Sequence, residues 1–250
     1  NQQSIVLTAA APAAAELISH LDRYIIREDV QLHNRSDQWT AMLVAGATSR
    51  NTLCALTAAE LPQAPAQHVQ AALAGHALSI GQIDLVGPNG FMVRCSTPAT
   101  AAVTDTLVAG GATRCTLTSF DQVRIEAGVP LYGRDISQKN LPQEVDRNVE
   151  AISFSKGCYL GQETVARIAS LGHVNQLLAG VRCPGSTIPS AGAELAADGT
   201  AVGHVTSAAF SPRLACPLAL AYVRTAHSQP GTELRWKGGQ AEVVALPVTS

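Results

Sequence analysis

The chain has 250 residues, of which 46% are hydrophobic and 14% are charged, and its formal net charge at pH 7 is −2. This composition is that of an ordered globular protein and excludes a disordered tail. The near-neutral charge and the aromatic content of 4% also argue against direct nucleic-acid binding, which needs clustered cations and rings on which bases stack.

No apolar run reaches the roughly 20 residues that cross a bilayer, and no basic and then apolar signal segment opens the sequence. The six cysteines are scattered, without a CxxC pair or a Cys/His cluster. Neither a disulfide framework nor a preformed metal site is therefore predicted. We expect a cytoplasmic protein in a reducing compartment, without membrane contact.

The first half of the chain alternates helices with strands, which predicts an α+β or α/β arrangement. The predicted elements are a helix at residues 9–26, strands at 30–32 and 39–44, a helix from Ser49, a loop at 61–65, strands at 77–86 and 91–95 joined by a turn at 87–90, a helix at 98–108 and a strand at 112–117.

The second half begins with short helices and continues with short strands. A helix is predicted from Ser119 through Glu126, followed by a polar connection at residues 131–135 and a short helix at 141–144. Beyond residue 171, β-like runs recur with Gly or Pro between them, which indicates a small antiparallel barrel or sandwich. These runs lie at residues 177–182, 201–207, 218–223, 233–236 and 241–246.

The most distinctive stretch runs from Ser155 to Glu163 and reads SKGCYLGQE. Glycines bracket a cysteine and a tyrosine, and Lys156 stands two residues before the thiol of Cys158. A buried strand or helix would be mostly aliphatic, whereas this run offers a nucleophile, a cation, hydrogen-bonding side chains and backbone that glycine frees to approach a ligand. We therefore predict a functional loop here.

The residues after this loop, 163–169, are predicted to form a helix. The positive end of its dipole would lie beside Cys158. Together with Lys156, that helix end would favour thiolate over thiol, because nearby positive charge stabilises the deprotonated sulfur.

Two segments and the C-terminal part of the chain resemble one superfamily. Residues 124–133, RIEAGVPLYG, look like the folate-binding segment of the glycine cleavage T-protein, an aminomethyltransferase. Residues 151–163, AISFSKGCYLGQE, look like the signature of its YgfZ branch, and residues 203–223 are similar to the C-terminal barrel of both. The KGCYxGQE string is specific for the branch, whereas the RIEAG string indicates only the superfamily.

The resemblance implies an α+β fold, with a T-protein-like folate-binding α/β domain at residues 1–170 and a small antiparallel β-barrel at 171–250. It covers roughly residues 4–244. It also implies that a further N-terminal part of the folate-binding domain, which carries the aspartate assigned to catalysis in the T-protein, lies outside this sequence. The implied cofactor is a reduced folate, tetrahydrofolate.

For the folate site, the resemblance assigns Glu126 to the pterin ring. A pterin presents an amino group beside a ring N–H, and a carboxylate can accept both donors. Arg124 is a further candidate for folate binding, with an ion pair that holds the loop as its alternative. Tyr132 would line the pocket with its ring or else belong to the core.

Three more residues near the cysteine loop are folate-binding candidates. Lys156 falls where the T-protein has a basic run that reaches the carboxylate tail of folate, and its alternative role is to activate Cys158. Tyr159 lies in the same loop, and Arg167 lies one turn into the following helix.

For Cys158 the resemblance implies the functional centre of the YgfZ branch, which is tied to the assembly or repair of iron–sulfur enzymes, including enzymes that modify tRNA. A single thiolate cannot hold a [4Fe–4S] cluster, which ordinarily takes four cysteine ligands. A transient ligand, a redox-active thiol and an attachment point all stay open. Gln162 and Glu163 would either orient the loop by bonding its amides or cap the helix.

The sequence thus predicts a folate-dependent factor in iron–sulfur protein maturation, with iron–sulfur client proteins as partners and no resident metal. Its reactive centre would consist of Cys158, Lys156, Gln162 and Glu163. The alternative is an aminomethyltransferase-type one-carbon transferase that uses tetrahydrofolate. Such an enzyme would need an acid near the folate nitrogens, and the sequence identifies none.

Overall fold

The computed structural model describes residues 4–9, 13–65, 67–87, 89–153, 155–159 and 161–248. Internal contacts divide the chain into two compact units, Asn1–Arg114 and Cys115–Ser250. The predicted domain boundary between residues 170 and 171 falls inside the second unit, because the helix at residues 117–126 packs on strands of the C-terminal barrel.

The first unit is built on a four-stranded antiparallel sheet with the strand order β1-β4-β3-β2. Apolar residues on one face of this sheet meet the buried faces of helices α2 and α3 in a single core. The elements are α1 (Ala14–Asp22), β1 (Trp39–Ala45), α2 (Ser49–Thr57), β2 (His68–Leu73), β3 (His76–Gln82), β4 (Gly90–Ser96) and α3 (Thr100–Ala109).

Most predicted elements of this unit are confirmed, namely β1, α2, β4, α3 and the loop at 61–65. The strand predicted at 77–86 is present as the shorter β3, which ends at Gln82. Helix α1 is shorter than predicted, and its apolar side chains are at most half-buried; residues 10–12 of that prediction lie outside the described residues. The strands predicted at 30–32 and 112–117 are wrong, because neither segment pairs with a strand. Strand β2 has no counterpart in the prediction.

In its described residues, the second unit combines three α-helices with a closed barrel of strand order β10-β5-β8-β7-β6-β9. The helices are α4 (Leu117–Glu126), α5 (Asn148–Ala151) and α6 (Gln162–Leu171). The strands are β5 (Gln176–Arg182), β6 (Glu194–Ala197), β7 (Thr200–Ser211), β8 (Cys216–Arg224), β9 (Glu233–Trp236) and β10 (Gly239–Val244).

Strand β8 is buried on both faces and thereby joins α4 to the barrel. Alternate side chains of a strand point to opposite faces. Ala219, Ala221 and Val223 belong to the core inside the barrel. Leu220 and Tyr222 belong to a second core, which also contains Ile125 of α4. The nearly continuous apolar sequence of β8 thus reflects two cores rather than one.

The five strands predicted for this part of the chain are all confirmed, and the choice between barrel and sandwich is decided in favour of a barrel. Strand β7 is longer than predicted, and β6 has no counterpart in the prediction. Helix α4 begins two residues before Ser119, because Thr116 caps it: its Oγ1 accepts a hydrogen bond from the Ser119 amide at 3.2 Å. Among the described residues, no helix is long and apolar enough to cross a membrane.

Candidate functional site

A buried ion pair organises the segment that contains the candidate folate residues. Arg124, in the last turn of α4, is completely buried. Its Nη1 donates to Asp135 Oδ2 at 2.9 Å and to the Val129 carbonyl at 3.1 Å, and its Nε donates to Asp121 Oδ1 at 2.6 Å. Arg124 therefore holds the loop by ion pairing, which was the alternative to its role as a folate ligand.

Asp135 connects this loop to the barrel. Its Oδ2 also accepts from the Leu131 amide at 3.0 Å. Its Oδ1 accepts from Thr206 Oγ1 at 2.6 Å and from the hydroxyl of Ser207, both on β7. Because both oxygens of the Asp135 carboxylate are hydrogen-bonded, this side chain ties residues 131–135 to strand β7.

Glu126 is also tied to the barrel. Its Oε1 accepts from Ser211 Oγ at 2.5 Å and from the Arg213 amide at 3.2 Å, and its Oε2 lies 3.2 Å from Arg213 Nε. The side chain of Glu126 is 9% exposed, whereas that of Arg213 is 56% exposed. Residues at the turn between β7 and β8 thus already bond to the carboxylate that the family resemblance assigns to a pterin.

The two-donor contact with a pterin does not fit Glu126 as it lies, because Oε1 already accepts two hydrogen bonds. Only Oε2 has spare capacity, and it is covered by the exposed side chain of Arg213. A pterin edge would therefore reach this carboxylate only if Arg213 released Oε2.

Tyr132 lies in the same loop with 47% of its surface exposed. It is not a core residue, so the core alternative for this ring is excluded. Next to it, Arg134 pairs with Asp121, Nη1 to Oδ2 at 2.7 Å. Partial burial raises the pKa of the Asp121 carboxyl, but hydrogen bonds from Arg134 and Arg124 outweigh burial and lower this pKa overall.

Tyr222, on β8, lies near the buried acids. Its ring is almost fully buried, and its hydroxyl has no hydrogen-bond partner among the described residues. Burial, reinforced by the negative charges of Glu144 and Asp135, raises the pKa of Tyr222 to about 12. The phenol therefore stays protonated over a wider pH range than in water.

The described part of the cysteine loop exposes the side chains of Lys156 and Cys158. Cys158 is an exposed thiol. Lys156 places its Nζ 4.4 Å from the centre of the Tyr159 ring, a cation–π contact. Gln162 Oε1 accepts from the Tyr159 amide at 3.3 Å, so Gln162 orients the loop by bonding one of its amides. Glu163 is exposed in the first turn of α6.

Gly161 closes the loop and precedes α6. Its φ of 84° is in the left-handed region, which glycine adopts without strain. Arg167 is exposed one turn further along α6. Phe154, which precedes the loop, and Leu160, which belongs to it, lie outside the described residues.

The candidates form two groups within the second unit. Arg124, Glu126 and Tyr132 lie at the end of α4, whereas the remaining candidates lie in the cysteine loop and α6. No hydrogen bond, ion pair or ring contact of the described residues joins the two groups. Within the described part of the chain, no cluster of three or more His, Cys, Asp or Glu side chains could hold a metal ion.

Asp135, Ser211 and Arg213 were missed as site-forming residues. Asp135 stands in the polar connection of residues 131–135, but its partners lie 71 and 72 residues away on β7. Ser211 and Arg213 lie 85 and 87 residues from Glu126. Only the packing of α4 on the barrel brings these pairs together, and no local spacing indicates it.

Comparison with known proteins identifies the family. Residues 1–154 match the family described as the GCVT N-terminal domain, and residues 177–249 match the one described as the glycine cleavage T-protein C-terminal barrel domain. The chain belongs to the glycine cleavage T-protein family. The predicted superfamily and fold class are thereby confirmed, and this family uses tetrahydrofolate, the predicted cofactor.

Relatives of this T-protein family member include aminomethyltransferases. That of Streptomyces avermitilis is 31% identical over 99% of this chain and 70% of its own length. That of a Nostoc species is 28% identical over 99% of this chain and 66% of its own length. The crystal structure of glycine cleavage system aminomethyltransferase T from Bartonella henselae gives a TM-score of 0.75 at 22% identity, over 95% of this chain and 66% of that one.

These matches support the superfamily but do not distinguish the YgfZ branch. The chain spans about two thirds of the Bartonella chain and 70% of the Streptomyces protein. The structural likeness establishes the fold, and the activity of a complete protein does not follow from it.

Proposed function

We propose that this protein is a folate-dependent one-carbon transferase of the aminomethyltransferase type. The observation that carries the proposal is the alignment of nearly the whole chain, 99%, with proteins named aminomethyltransferase at about 30% identity. One-carbon transfer is the alternative function that the sequence analysis gives. The named relatives favour it over a role in iron–sulfur protein maturation.

The structure supports this proposal through the rigid frame at the end of α4. Asp135 and Arg124 tie residues 131–135 to β7, and this frame fixes the backbone that carries the half-exposed ring of Tyr132. A ring on a fixed backbone can pack on a flat heterocycle without first losing conformational freedom. Tyr132 is therefore proposed to contact the pterin.

Glu126 is proposed to accept the pterin donors after Arg213 has released Oε2. Arg213 is the more exposed partner, with 56% of its side chain open to solvent, and its Nη1 also donates to the Val248 carbonyl at 3.3 Å. Only the Arg213 end of this pair is open to water, so a ligand that donates to the Glu126 carboxylate can take the place of the guanidinium while Arg213 turns to solvent. Lys156, Tyr159 and Arg167 are proposed to receive the carboxylate tail of the folate.

Calorimetry with tetrahydrofolate tests this assignment. In Arg213→Ala the competing guanidinium is gone, and we expect binding that is several-fold tighter than in the wild type. In Glu126→Gln the charged acceptor is lost, and we expect binding that is about tenfold weaker. Thermal unfolding of each variant controls for the lost contacts with the β7–β8 turn. Equal affinities of all three proteins would refute a pterin contact at Glu126.

A second candidate function is favoured by one observation, the exposed thiol of Cys158 in the KGCYxGQE loop. On this reading the protein is a YgfZ-like cytoplasmic factor that uses folate and Cys158 in the maturation of iron–sulfur client proteins, including tRNA-modifying enzymes. Gln162 bonds to the Tyr159 amide and Lys156 lies over the Tyr159 ring, while the sulfur of Cys158 is exposed.

Cys158→Ala distinguishes the two functions. If the iron–sulfur reading holds, cells that carry this variant lose activity of iron–sulfur enzymes, while folate binding by the purified protein is unchanged. Cys115→Ala is a matched control, since Cys115 is the other exposed cysteine of the second unit. Unaffected iron–sulfur enzymes in the Cys158→Ala cells would rule this function out.

A further inference from the structure

The chain that follows β10 lies across the end of α4, and we call its residues 246–248 the Val248 strap. Val248 is 6% exposed and packs in the core that α4 shares with the barrel. Leu246 packs on Gly128 and Gly180, since a Cβ at either glycine would lie 2.8 Å from a carbon of its side chain. Burial of these two apolar side chains docks the strap on the second unit.

Two hydrogen bonds of the Val248 backbone link the strap to the candidate folate site. The Val248 amide donates to the Glu126 carbonyl at 2.8 Å. The Val248 carbonyl accepts from Arg213 Nη1 at 3.3 Å, and Nε of the same guanidinium lies 3.2 Å from Glu126 Oε2. The guanidinium therefore bridges the strap and the carboxylate on which the proposed pterin contact depends.

The anchor on the strap matters because the guanidinium is otherwise open to water. The side chain of Arg213 is 56% exposed, whereas that of Glu126 is 9% exposed. A long side chain that is held at one contact keeps much of its rotamer freedom, and a second contact restricts it. The docked strap thus favours the arrangement in which Arg213 covers Glu126 Oε2.

We propose that Val248 is a positioning residue that acts through Arg213. The docked strap holds the guanidinium over Glu126 and so lowers the affinity of this carboxylate for a ligand that donates to it; the inference rests on the proposed pterin contact. A ligand that moves Arg213 to solvent breaks its bond to the Val248 carbonyl as well as the ion pair. Because such coupling is reciprocal, a ligand at Glu126 loosens the strap, and a loosened strap favours the ligand.

Hydrogen exchange of the Val248 amide tests the strap without any ligand. Arg213→Ala removes the bond to the Val248 carbonyl, and we expect this amide to exchange about two- to tenfold faster, the factor that one hydrogen bond supplies. Arg235→Ala is the matched control, because Arg235 is exposed on β9 of the same barrel, and it should leave the exchange rate unchanged. Equal rates in Arg213→Ala and the wild type would overturn the proposal.

Calorimetry with tetrahydrofolate tests the link to Glu126. Val248→Asn puts a polar amide into an apolar core and thereby undocks the strap, so we expect binding about two- to tenfold tighter than in the wild type. Val248→Ile keeps the strap docked and should bind like the wild type. In an Arg213→Ala background, Val248→Asn should change the affinity no further, because Val248 acts through Arg213. Thermal unfolding shows that each variant is folded.

Two results of this calorimetry would overturn the role of the strap and leave the pterin contact intact. One is an unchanged affinity in Val248→Asn, and the other is an equal gain in affinity with and without Arg213. A failure of the wild type and of every variant to bind tetrahydrofolate would instead refute the pterin contact, and with it the effect of the strap on that contact.

Discussion

At the residue scale, the feature that most constrains the site is the buried pair of Arg124 and Asp135. Both side chains are completely buried. Removing two charges from water is expensive, and their attraction repays this cost only when the remaining donors and acceptors are also paired. Asp135 meets that condition, because Arg124, Leu131, Thr206 and Ser207 all donate to it, whereas Arg124 leaves its Nη2 without a partner among the described residues.

Asp135→Asn should therefore be strongly destabilising. It keeps the shape but leaves the guanidinium of Arg124 without its buried counter-charge, so we expect a loss of about 3–5 kcal/mol in the free energy of unfolding. Glu242→Gln is the control, because it breaks the part-exposed pair with Arg182 and should cost about 1 kcal/mol or less. Urea unfolding measures both, and equal losses would contradict a dominant role for the buried pair.

Tyr222 makes stability depend on pH at the alkaline end. Its raised pKa stabilises the folded state below pH 10, its value in water, and this contribution is lost as pH rises towards 12. Tyr222→Phe removes the ionising hydroxyl, so it should unfold at nearly the wild-type temperature at pH 7 and lose less stability between pH 10 and 12.

Thermal unfolding across this pH range measures the effect. Tyr132→Phe is the control, since the ring of Tyr132 is exposed, and it should follow the wild type at every pH. A Tyr222→Phe variant that loses as much stability as the wild type would show that ionisation of Tyr222 does not weaken the fold.

At the element scale, five of the six barrel strands were predictable, whereas the sixth, β6, and strand β2 of the first unit were not. Strand β8 carries a long apolar run, and turns with Gly or Pro separate it from its neighbours. Strand β6 has only four residues, two of them alanines, and gives too little alternation to be recognised. Residues 30–32 have β-forming side chains but no partner strand, and pairing, not propensity, decides strand formation.

The backbone turn that follows α4 requires glycine at position 128. Gly128 has a φ of 71°, and a Cβ there would lie 2.8 Å from Leu246 Cβ. Gly133 has a φ of 82° and open space around it. Only Gly128 therefore combines a left-handed backbone with close packing against the chain that follows β10.

Gly128→Ala should destabilise the protein more than Gly133→Ala. The left-handed backbone costs each variant roughly 1–2 kcal/mol, and crowding against Leu246 adds about 1–3 kcal/mol for Gly128→Ala alone. Chemical unfolding gives the difference between the variants. If both lose the same stability, the contact with Leu246 imposes no constraint on this position.

At the scale of the whole molecule, the sequence indicates the family and the candidate residues, but not their partners. Glu126 is recognisable from the RIEAG string, yet its bonds to Ser211 and Arg213 arise only when α4 packs on the barrel. The same holds for Asp135 and β7. Contacts between residues more than 70 positions apart cannot be predicted from local periodicity. Only the structure therefore shows which donors bond to the Glu126 carboxylate.

The proposed function of this protein is one-carbon transfer to tetrahydrofolate. Its most direct test is turnover of an aminomethyl-lipoyl donor by the full-length protein, with transfer of a labelled one-carbon unit to tetrahydrofolate as the measured quantity. The transferase function predicts turnover that needs tetrahydrofolate and survives Cys158→Ala. Absence of transfer by a folded protein that binds tetrahydrofolate would contradict it.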